Sequence, residues 1–448
     1  MQDIYNHIDQ HADEYVARLQ TLCRQPSIAA QDKGMAETAD MVIESLRQVG
    51  ADPQLLPTGG FPVAFGAVAG RSAKTLSFYD HYDVQPPEPL DLWHSDPFAA
   101  EIRDGRLWAR GVADNKGNFV ARLCAVEAFQ KVRGELPLHV KFIVEGEEEI
   151  GSPNLPAFAE TYADLLAADG CIWEAGYKDT QGRPEIYLGV KGILYVELRV
   201  STAKSDLHSS WGAVVPNPIW RLVWALNTLK DPDERVLIPG FYDAVREPTS
   251  AEIEALERMG FDQEGHLRQF GLPQFLGGRT GIPLLVKLLF QPTCTVCGIS
   301  GGYEGPGSKT VLPNQALLKL DFRLVPDQDP AQIYELLRRH LDAGGFEDIE
   351  VEVLGPEHPA RTPMDDPLVE VVVDTARQVY GLEPVVYPLT AGTGPMYELC
   401  QKFGIPSVST GVGNAESHTH APNENVVITD FIQGIKHIAL IMETFAAT

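Results

Sequence analysis

The stretch LHVKFIVEGEEEIGS, residues 138–152, decides the fold. Its first half is a short apolar run, and its second half holds four glutamates, Glu145, Glu147, Glu148 and Glu149. A short apolar run bounded by glycine and charged residues is typical of a buried strand. Ligand-binding residues of open α/β sheets gather just past the carboxyl ends of such strands. We therefore expect an α/β protein with a polar site at this strand end.

Strands and helices alternate around this stretch. PVAFGAVAG at 62–70 and TLSFYD at 75–80 resemble further buried strands. Amphipathic helices are predicted at the N-terminus, from Met35 to Val49, and from about Lys116. This alternation predicts a mostly parallel sheet flanked by helices on both faces.

The pattern changes near Gly189 and resumes at DDPLVEVVVDTARQVYG, residues 365–381. A chain of 448 residues exceeds what one hydrophobic core usually serves. We predict a discontinuous first domain, residues 1–191 with 362–448, and an α+β sandwich inserted at 192–361. In the inserted domain we predict strands at 188–201, 317–326 and 348–355 and helices at 217–229 and 329–345. A polar helical insertion is predicted at 251–277.

Bulk composition narrows the classes of function. The net charge of −26 disfavours a nucleic-acid role, because that affinity comes mainly from Lys and Arg on phosphates. We find neither a secretory signal nor an apolar stretch of the ~18 residues that a membrane span needs. The six scattered cysteines predict a reduced, cytoplasmic protein rather than a disulfide framework. Cys294 and Cys297 lie in a strand-like segment, so we interpret both as core residues.

Several residues outside the glutamate cluster carry metal-binding chemistry. His81 and Asp83 lie two apart at the end of a strand, so they point the same way and Asp83 could hold the imidazole. The alternative for this pair is a surface turn. Asp114 lies in GVADNKG before a helix, where a bridging carboxylate and a helix cap are equally good interpretations.

Two further groups complete the set. Glu174 ends the apolar segment CIWEAG, where an unpaired carboxylate would be costly. His420 lies in HTHAPNE beside His418, in a polar loop before the last helix. Carboxylates and imidazoles without thiolates suit a hydrolytic metal site better than a structural zinc. The residues alone do not decide which glutamates at 145–149 serve as ligand and as base.

Taken together and in order, these segments resemble the co-catalytic zinc peptidases. That family includes carnosinase-like dipeptidases, glutamate carboxypeptidase, acetylornithine deacetylase and succinyl-diaminopimelate desuccinylase. The resemblance covers nearly the whole chain and is carried by HYDVQP (81–86), WHSDPF (93–98), DGRLWARGVADNKG (104–117) and EGEEEIGS (145–152). It implies that Glu148 is the general base and Glu149 a ligand.

The resemblance also implies a two-metal site. His81 and Glu174 would bind one cation. Glu149 and His420 would bind the second, with Asp114 bridging the two. Zinc is the expected metal, and manganese or cobalt would also suit these ligands.

The remaining roles follow from the same resemblance. Asp83 would support His81. His208, in the segment DLHSS, would stabilise the tetrahedral intermediate from the partner subunit of a homodimer, which makes the inserted domain a lid and dimerisation domain. The residues expected to contact substrate are Thr310, Arg323 and Thr393.

The expected function is hydrolysis of a peptide bond in a small substrate with a free carboxylate, by a dipeptidase or carboxypeptidase. Two departures from the family matter: Asp80 replaces the usual glycine, and Glu174 replaces the aspartate typical of the carnosinase-like branch. An N-acyl amino-acid deacylase with the same site therefore remains an alternative. A non-catalytic binding protein on this fold is a more remote one.

Overall fold

The computed structural model describes the whole chain, Met1–Thr448. Its α-helices, in chain order, are α1 Gln2–Gln10, α2 Ala12–Cys23, α3 Met35–Gln48, α4 Lys116–Arg133, α5 Leu155–Thr161, α6 Ala163–Leu166, α7 Pro218–Leu229, α8 Ser250–Met259, α9 Gln263–Phe270, α10 Gly281–Phe290, α11 Pro330–Ala343, α12 Pro367–Tyr380, α13 Met396–Leu399 and α14 Ile428–Phe445.

The strands, in chain order, are β1 Gln54–Leu56, β2 Val63–Val68, β3 Thr75–His81, β4 Glu101–Arg103, β5 Arg106–Trp108, β6 His139–Glu145, β7 Gly170–Trp173, β8 Glu185–Tyr187, β9 Gly189–Val190, β10 Gly192–Ser201, β11 Leu207–His208, β12 Thr295–Gly301, β13 Val311–Leu312, β14 Gln315–Leu324, β15 Glu350–Glu357, β16 Ala360–Arg361, β17 Val385–Tyr387, β18 Ser407–Ser409 and β19 Asn425–Val427.

The main sheet has eight strands in the order β1-β2-β6-β3-β7-β18-β8-β17. Its centre, β6-β3-β7-β18, is parallel, whereas the pairs β1-β2, β2-β6 and β18-β8 are antiparallel. The carboxyl ends of β6, β3 and β7 therefore lie side by side. This arrangement confirms the predicted mostly parallel sheet.

Alternate residues of the central strands face opposite helical layers. Phe78 and Phe142 point into the larger core of 57 buried residues, which includes side chains of α4 and α14. Tyr79 and Ile143 point to the other face, where a core of 16 residues includes side chains of α5 and α13. Burial on both faces explains why these strands are almost continuously apolar.

The inserted segment forms its own antiparallel sheet, ordered β12-β14-β10-β15. Helices α7 and α11 cover one face and share with it a separate core of 21 buried residues. The alternating pattern of β10 follows from this one-sided burial, since Leu194, Val196 and Leu198 all point into that core. The strands predicted within 188–201 are the short β9 and the long β10.

Three details differ from the sequence expectations. The first N-terminal helix is broken at His11 into α1 and α2. The helical insertion extends beyond residue 277 through α10, and α8 packs both on the edge strand β17 and on α10. Cys294 is buried as expected, but Cys297 is exposed on the edge strand β12. None of the helices combines the length and apolar character that a membrane span requires.

Candidate metal centre

The candidate ligands converge at the carboxyl edge of the parallel strands. His81 is the last residue of β3, and Glu174 directly follows β7. Glu148 and Glu149 lie in the turn after β6. Because these strands are neighbours, their ends bring the three segments to one place. Two loops, one before α4 and one before β19, supply Asp114 and His420.

Asp114 lies between two imidazoles. Its Oδ1 is 3.0 Å from His81 Nε2, and its Oδ2 is 3.0 Å from His420 Nε2. Each oxygen therefore belongs to a different half of the cluster. On the His420 side, Nε2 also lies 3.2 Å from Glu149 Oε2.

The other half of the cluster surrounds His81. Its Nε2 lies 3.4 Å from Glu174 Oε1 and 3.9 Å from Glu148 Oε2. His81 is fully buried, whereas the His420 side chain is 56% exposed. Potential ligand atoms of His81, Asp114 and Glu149 lie within 4.8 Å of one another, as do those of His81, Glu148 and Glu174.

The charges of the cluster suit cations. Burial lowers the pKa of His81, but hydrogen bonds to Asp114, Asp83 and Glu174 outweigh it and hold that pKa well above its usual range. Hydrogen bonds to Asp114 and Glu149 raise the pKa of His420 to about 10. Both imidazoles thus lie in a strongly negative environment. Converging carboxylate oxygens and imidazole nitrogens are a donor set that divalent metals of the zinc, manganese or cobalt type accept.

Glu148 has the environment of a proton carrier. Its side chain is largely buried, and this burial together with the neighbouring charge of Glu174 holds the pKa of Glu148 well above its usual range. A carboxylate with a raised pKa is a better base near neutral pH. Glu147, by contrast, turns away from the cluster and accepts from Asn154 Nδ2 at 2.8 Å.

Asp83 supports the centre differently from the sequence expectation. The His81 Nδ1 is 3.0 Å from the backbone carbonyl oxygen of Asp83, and the Asp83 carboxylate is farther away, at 3.4 Å. That carboxylate instead accepts from the backbone N–H groups of Glu148 and Glu149, at 3.3 and 2.9 Å. One residue therefore orients the imidazole and anchors the glutamate turn.

Sequence reasoning missed Glu424, which organises the Asp114 loop. Its buried carboxylate accepts from the backbone N–H groups of Gly111, Ala113 and Asp114, at 2.9, 2.9 and 3.1 Å. Arg110 neutralises it at 2.8 Å. Glu424 closes the same HTHAPNE motif that carries His420, so the available signal was an acidic residue in a loop already singled out.

The candidate residues of the inserted domain lie elsewhere. His208 contacts Ser210 and, at 3.3 Å, Thr310. Neither His208 nor Thr310 makes a hydrogen bond or ion pair with the five candidate ligands. Arg323 donates to Thr393 Oγ1 at 2.5 Å and so joins the inserted domain to a loop of the main domain.

Comparisons with known proteins identify a family and related structures. The family model described as peptidase family M20/M25/M40 matches residues 77–444. A solved M20 family metallo-carboxypeptidase from Sulfolobus solfataricus superimposes with a TM-score of 0.91 at 42% identity, covering 97% of this chain and 100% of the other.

Two relatives are dipeptidases by name. The human Beta-Ala-His dipeptidase is 30% identical, over 98% of this chain and 91% of its own length. The Cys-Gly metallodipeptidase of Schizosaccharomyces pombe is 27% identical, over 97% of this chain and 96% of its own length.

Proposed function

The chain belongs to peptidase family M20/M25/M40 and is a metallohydrolase of peptide bonds, and on this premise we propose that it cleaves dipeptides or removes the C-terminal residue of short peptides. The observation that carries this proposal is the position of Asp114, whose two oxygens each lie 3.0 Å from a different imidazole. Such an aspartate can serve two cations at once. Relatives named as dipeptidases and as a carboxypeptidase support the substrate class.

We assign two cations, zinc by preference, to the cluster. His81 and Glu174 would hold one, Glu149 and His420 the other, and Asp114 both. Cations in such a site act as Lewis acids, which polarise a carbonyl and lower the pKa of water. The cluster fits cations because its potential ligand atoms are carboxylate oxygens and imidazole nitrogens and because its environment is negatively charged.

Glu148 is the proposed proton carrier. Its Oε2 lies 3.9 Å from His81 Nε2, beside the ligand cluster but not among its closest contacts. From this position it can accept the proton of the attacking water and later deliver it to the leaving amine. Asp83 holds the Glu148 backbone N–H and so fixes where this proton is taken up.

Arg323 is the proposed recognition group for the substrate carboxylate. Its planar guanidinium can pair with both carboxylate oxygens. Thr393, 2.5 Å from Arg323, orients the guanidinium, and Thr310 would contribute a hydroxyl beside His208. His208 would donate a hydrogen bond to the oxyanion.

We propose a homodimer through the inserted domain, which also brings His208 to the partner's site. Trp220 and Trp224 on α7 are 56% and 53% exposed. Helix α7 lies toward the β12 side of its sheet, and β12 is an edge strand whose Val296 and Ile299 are 45% and 49% exposed. An open strand edge beside an exposed apolar helix face suits pairing with a second copy.

We assign catalysis to residues 1–191 with 362–448, and closure and dimerisation to residues 192–361. We also propose a cytoplasmic location, because the pattern of cysteines is typical of a reducing compartment.

A substrate panel on metal-stripped protein, reconstituted separately with Zn²⁺, Mn²⁺ or Co²⁺, tests the function. The panel contains dipeptides, longer peptides with free and amidated C-termini, and N-acetyl and N-succinyl amino acids. Turnover of the peptides supports the proposal. Turnover of the N-acyl amino acids alone would make the protein a deacylase.

The paired variants Glu148→Gln and Glu147→Gln test the mechanism. Glu148→Gln should lower kcat by about 10²–10⁴-fold, the usual contribution of general acid–base catalysis, with its metal content unchanged. Glu147→Gln makes the same change one residue away and should stay active. An active Glu148→Gln enzyme would refute the assignment of the base.

A further inference from the structure

Arg122 is a buried cation in contact with two strand ends of the metal centre. It lies on α4, and its side chain is 1% exposed. Its Nη1 is 2.6 Å from Asp80 Oδ1 and 2.5 Å from the carbonyl oxygen of Tyr79. Its Nη2 donates to the carbonyl oxygen of Glu174. One guanidinium thus bonds the end of β3 and the end of β7.

Asp80 is the charge partner of this guanidinium. The residue directly precedes His81 and is fully buried. A buried carboxylate and a buried guanidinium are each costly alone, so each requires the other. The Asp80–Arg122 pair thus accounts for the acidic residue where the family resemblance leads one to expect glycine.

The backbone of Glu174 requires outside support. Its φ is +37°, in the left-handed region that side-chain-bearing residues rarely adopt. Such a conformation persists only where the surroundings hold it. The support here is the Tyr79 carbonyl, which accepts from the Glu174 N–H at 2.9 Å, and Arg122, which donates to the carbonyl oxygens of both Tyr79 and Glu174.

We propose that Arg122, paired with Asp80, is a positioning residue for one cation site only, the half formed by His81 and Glu174. The inference rests on the proposed two-metal function. The other half has different supports: the Asp83 carboxylate holds the Glu149 N–H at 2.9 Å, and Gln85 Nε2 donates to Glu149 Oε2 at 3.0 Å. Arg122 contacts neither Glu149 nor His420.

Zn²⁺ binding to single-site proteins tests this selectivity. His420→Ala leaves the His81–Glu174 half, and Glu174→Ala leaves the Glu149–His420 half. In each background we add Arg122→Lys, which keeps a cation opposite Asp80 but loses the fork that reaches both carbonyls. Zn²⁺ affinity is measured on metal-stripped protein by competition with a chelator.

Arg122→Lys should weaken Zn²⁺ binding by about 10–100-fold in the His420→Ala background, the usual effect of losing a group that orients a ligand, and leave binding unchanged in the Glu174→Ala background. The matched control is Arg18→Lys, since Arg18 also pairs with a residue of α4, Glu127, at 2.6 Å, away from every ligand. It should change neither background. Equal losses in both backgrounds, or none in either, would overturn the inference.

If Arg122→Lys does not fold, a double variant with uncharged side chains at both positions tests the inference instead. Asp80→Asn combined with Arg122→Gln leaves no unpaired buried charge and predicts the same selective loss. Circular dichroism of the metal-free proteins checks the fold. Zn²⁺ binding is measured without turnover, so a wild-type protein inert toward every peptide would reject the proposed function separately.

Discussion

The main domain and the inserted domain present their candidate functional groups in opposite ways. In the main domain, six such residues meet at one sheet edge, and buried groups such as Asp83 and Glu424 hold their backbones. In the inserted domain, His208 is exposed and contacts Ser210 and Thr310. The candidate metal ligands thus come together within one chain, whereas the groups proposed to contact substrate would depend on how domains and subunits come together.

This difference has a physical cause. Cations require ligand atoms at fixed distances, so most of the candidate ligands lie at strand ends or in segments whose backbone is held by buried groups. Groups that contact substrate must admit it and release it, which favours exposed positions on a separate unit. Mutations of the candidate ligands should therefore remove metal, whereas mutations in the inserted domain should retain metal and change kcat or KM.

The largest effect is expected from Asp114→Ala. Losing the residue shared by both imidazoles should remove both cations and reduce turnover by about 10³–10⁴-fold, since metal ions contribute several kcal/mol to catalysis. Elemental analysis and peptide turnover measure the two losses. Asp365→Ala, at an exposed aspartate, is the control. A variant that keeps both cations would mean that Asp114 is not a bridge.

His208→Ala should retain its metal and lose about 10²–10³-fold in kcat, the usual cost of removing one oxyanion donor. Because the histidine is proposed to act across a dimer, a purified heterodimer of His208→Ala and Glu148→Gln subunits contains one intact site. It should recover about half of the wild-type turnover. A heterodimer as inactive as its two parents would place His208 in its own subunit's site, or outside the site.

Arg323→Lys should raise KM about tenfold for peptides with a free C-terminus, because a lysine cannot form the forked pair with a carboxylate. Metal content should not change. Peptide amides, which lack the carboxylate, should show the same KM in both proteins. Arg199→Lys, on the neighbouring strand β10, is the matched control. An equal rise in KM for peptide amides and for peptides with a free C-terminus would show that Arg323 does not bind the substrate carboxylate.

The smallest expected effect is on the number of protons that the protein releases when it binds a cation. Hydrogen bonds to Asp114 and Glu149 raise the pKa of His420 to about 10 in the metal-free protein, so His420 is protonated at pH 8. An imidazole must lose its extra proton to bind a cation, so cation binding should release the proton of His420. The cation affinity should therefore rise as the pH rises toward the pKa of His420. Calorimetry in buffers of different ionisation enthalpy counts the protons. His420→Ala should release about one fewer, and His208→Ala the same number as wild type.

Much of the fold and the site could be predicted because the signals are local. Continuous apolar runs ending in acidic residues identified β3, β6 and β7, and the resemblance selected Glu148 and Glu149 among four glutamates. The predicted start of α4 at Lys116 agrees with the structure. Helix boundaries were predicted less well. The break at His11 and the length of the helical insertion depend on packing against other elements, which the sequence of each segment does not show.

By itself, the sequence determined the fold class and the donor types, since periodicity and strand-end residues follow from each segment's own chemistry. Only the tertiary structure decided which oxygen of Asp114 faces which imidazole, that Arg122 pairs with Asp80, and that Glu424 holds the Asp114 loop. The reason is that burying a charge is favourable only beside a specific partner, and such partners lie far apart along the chain.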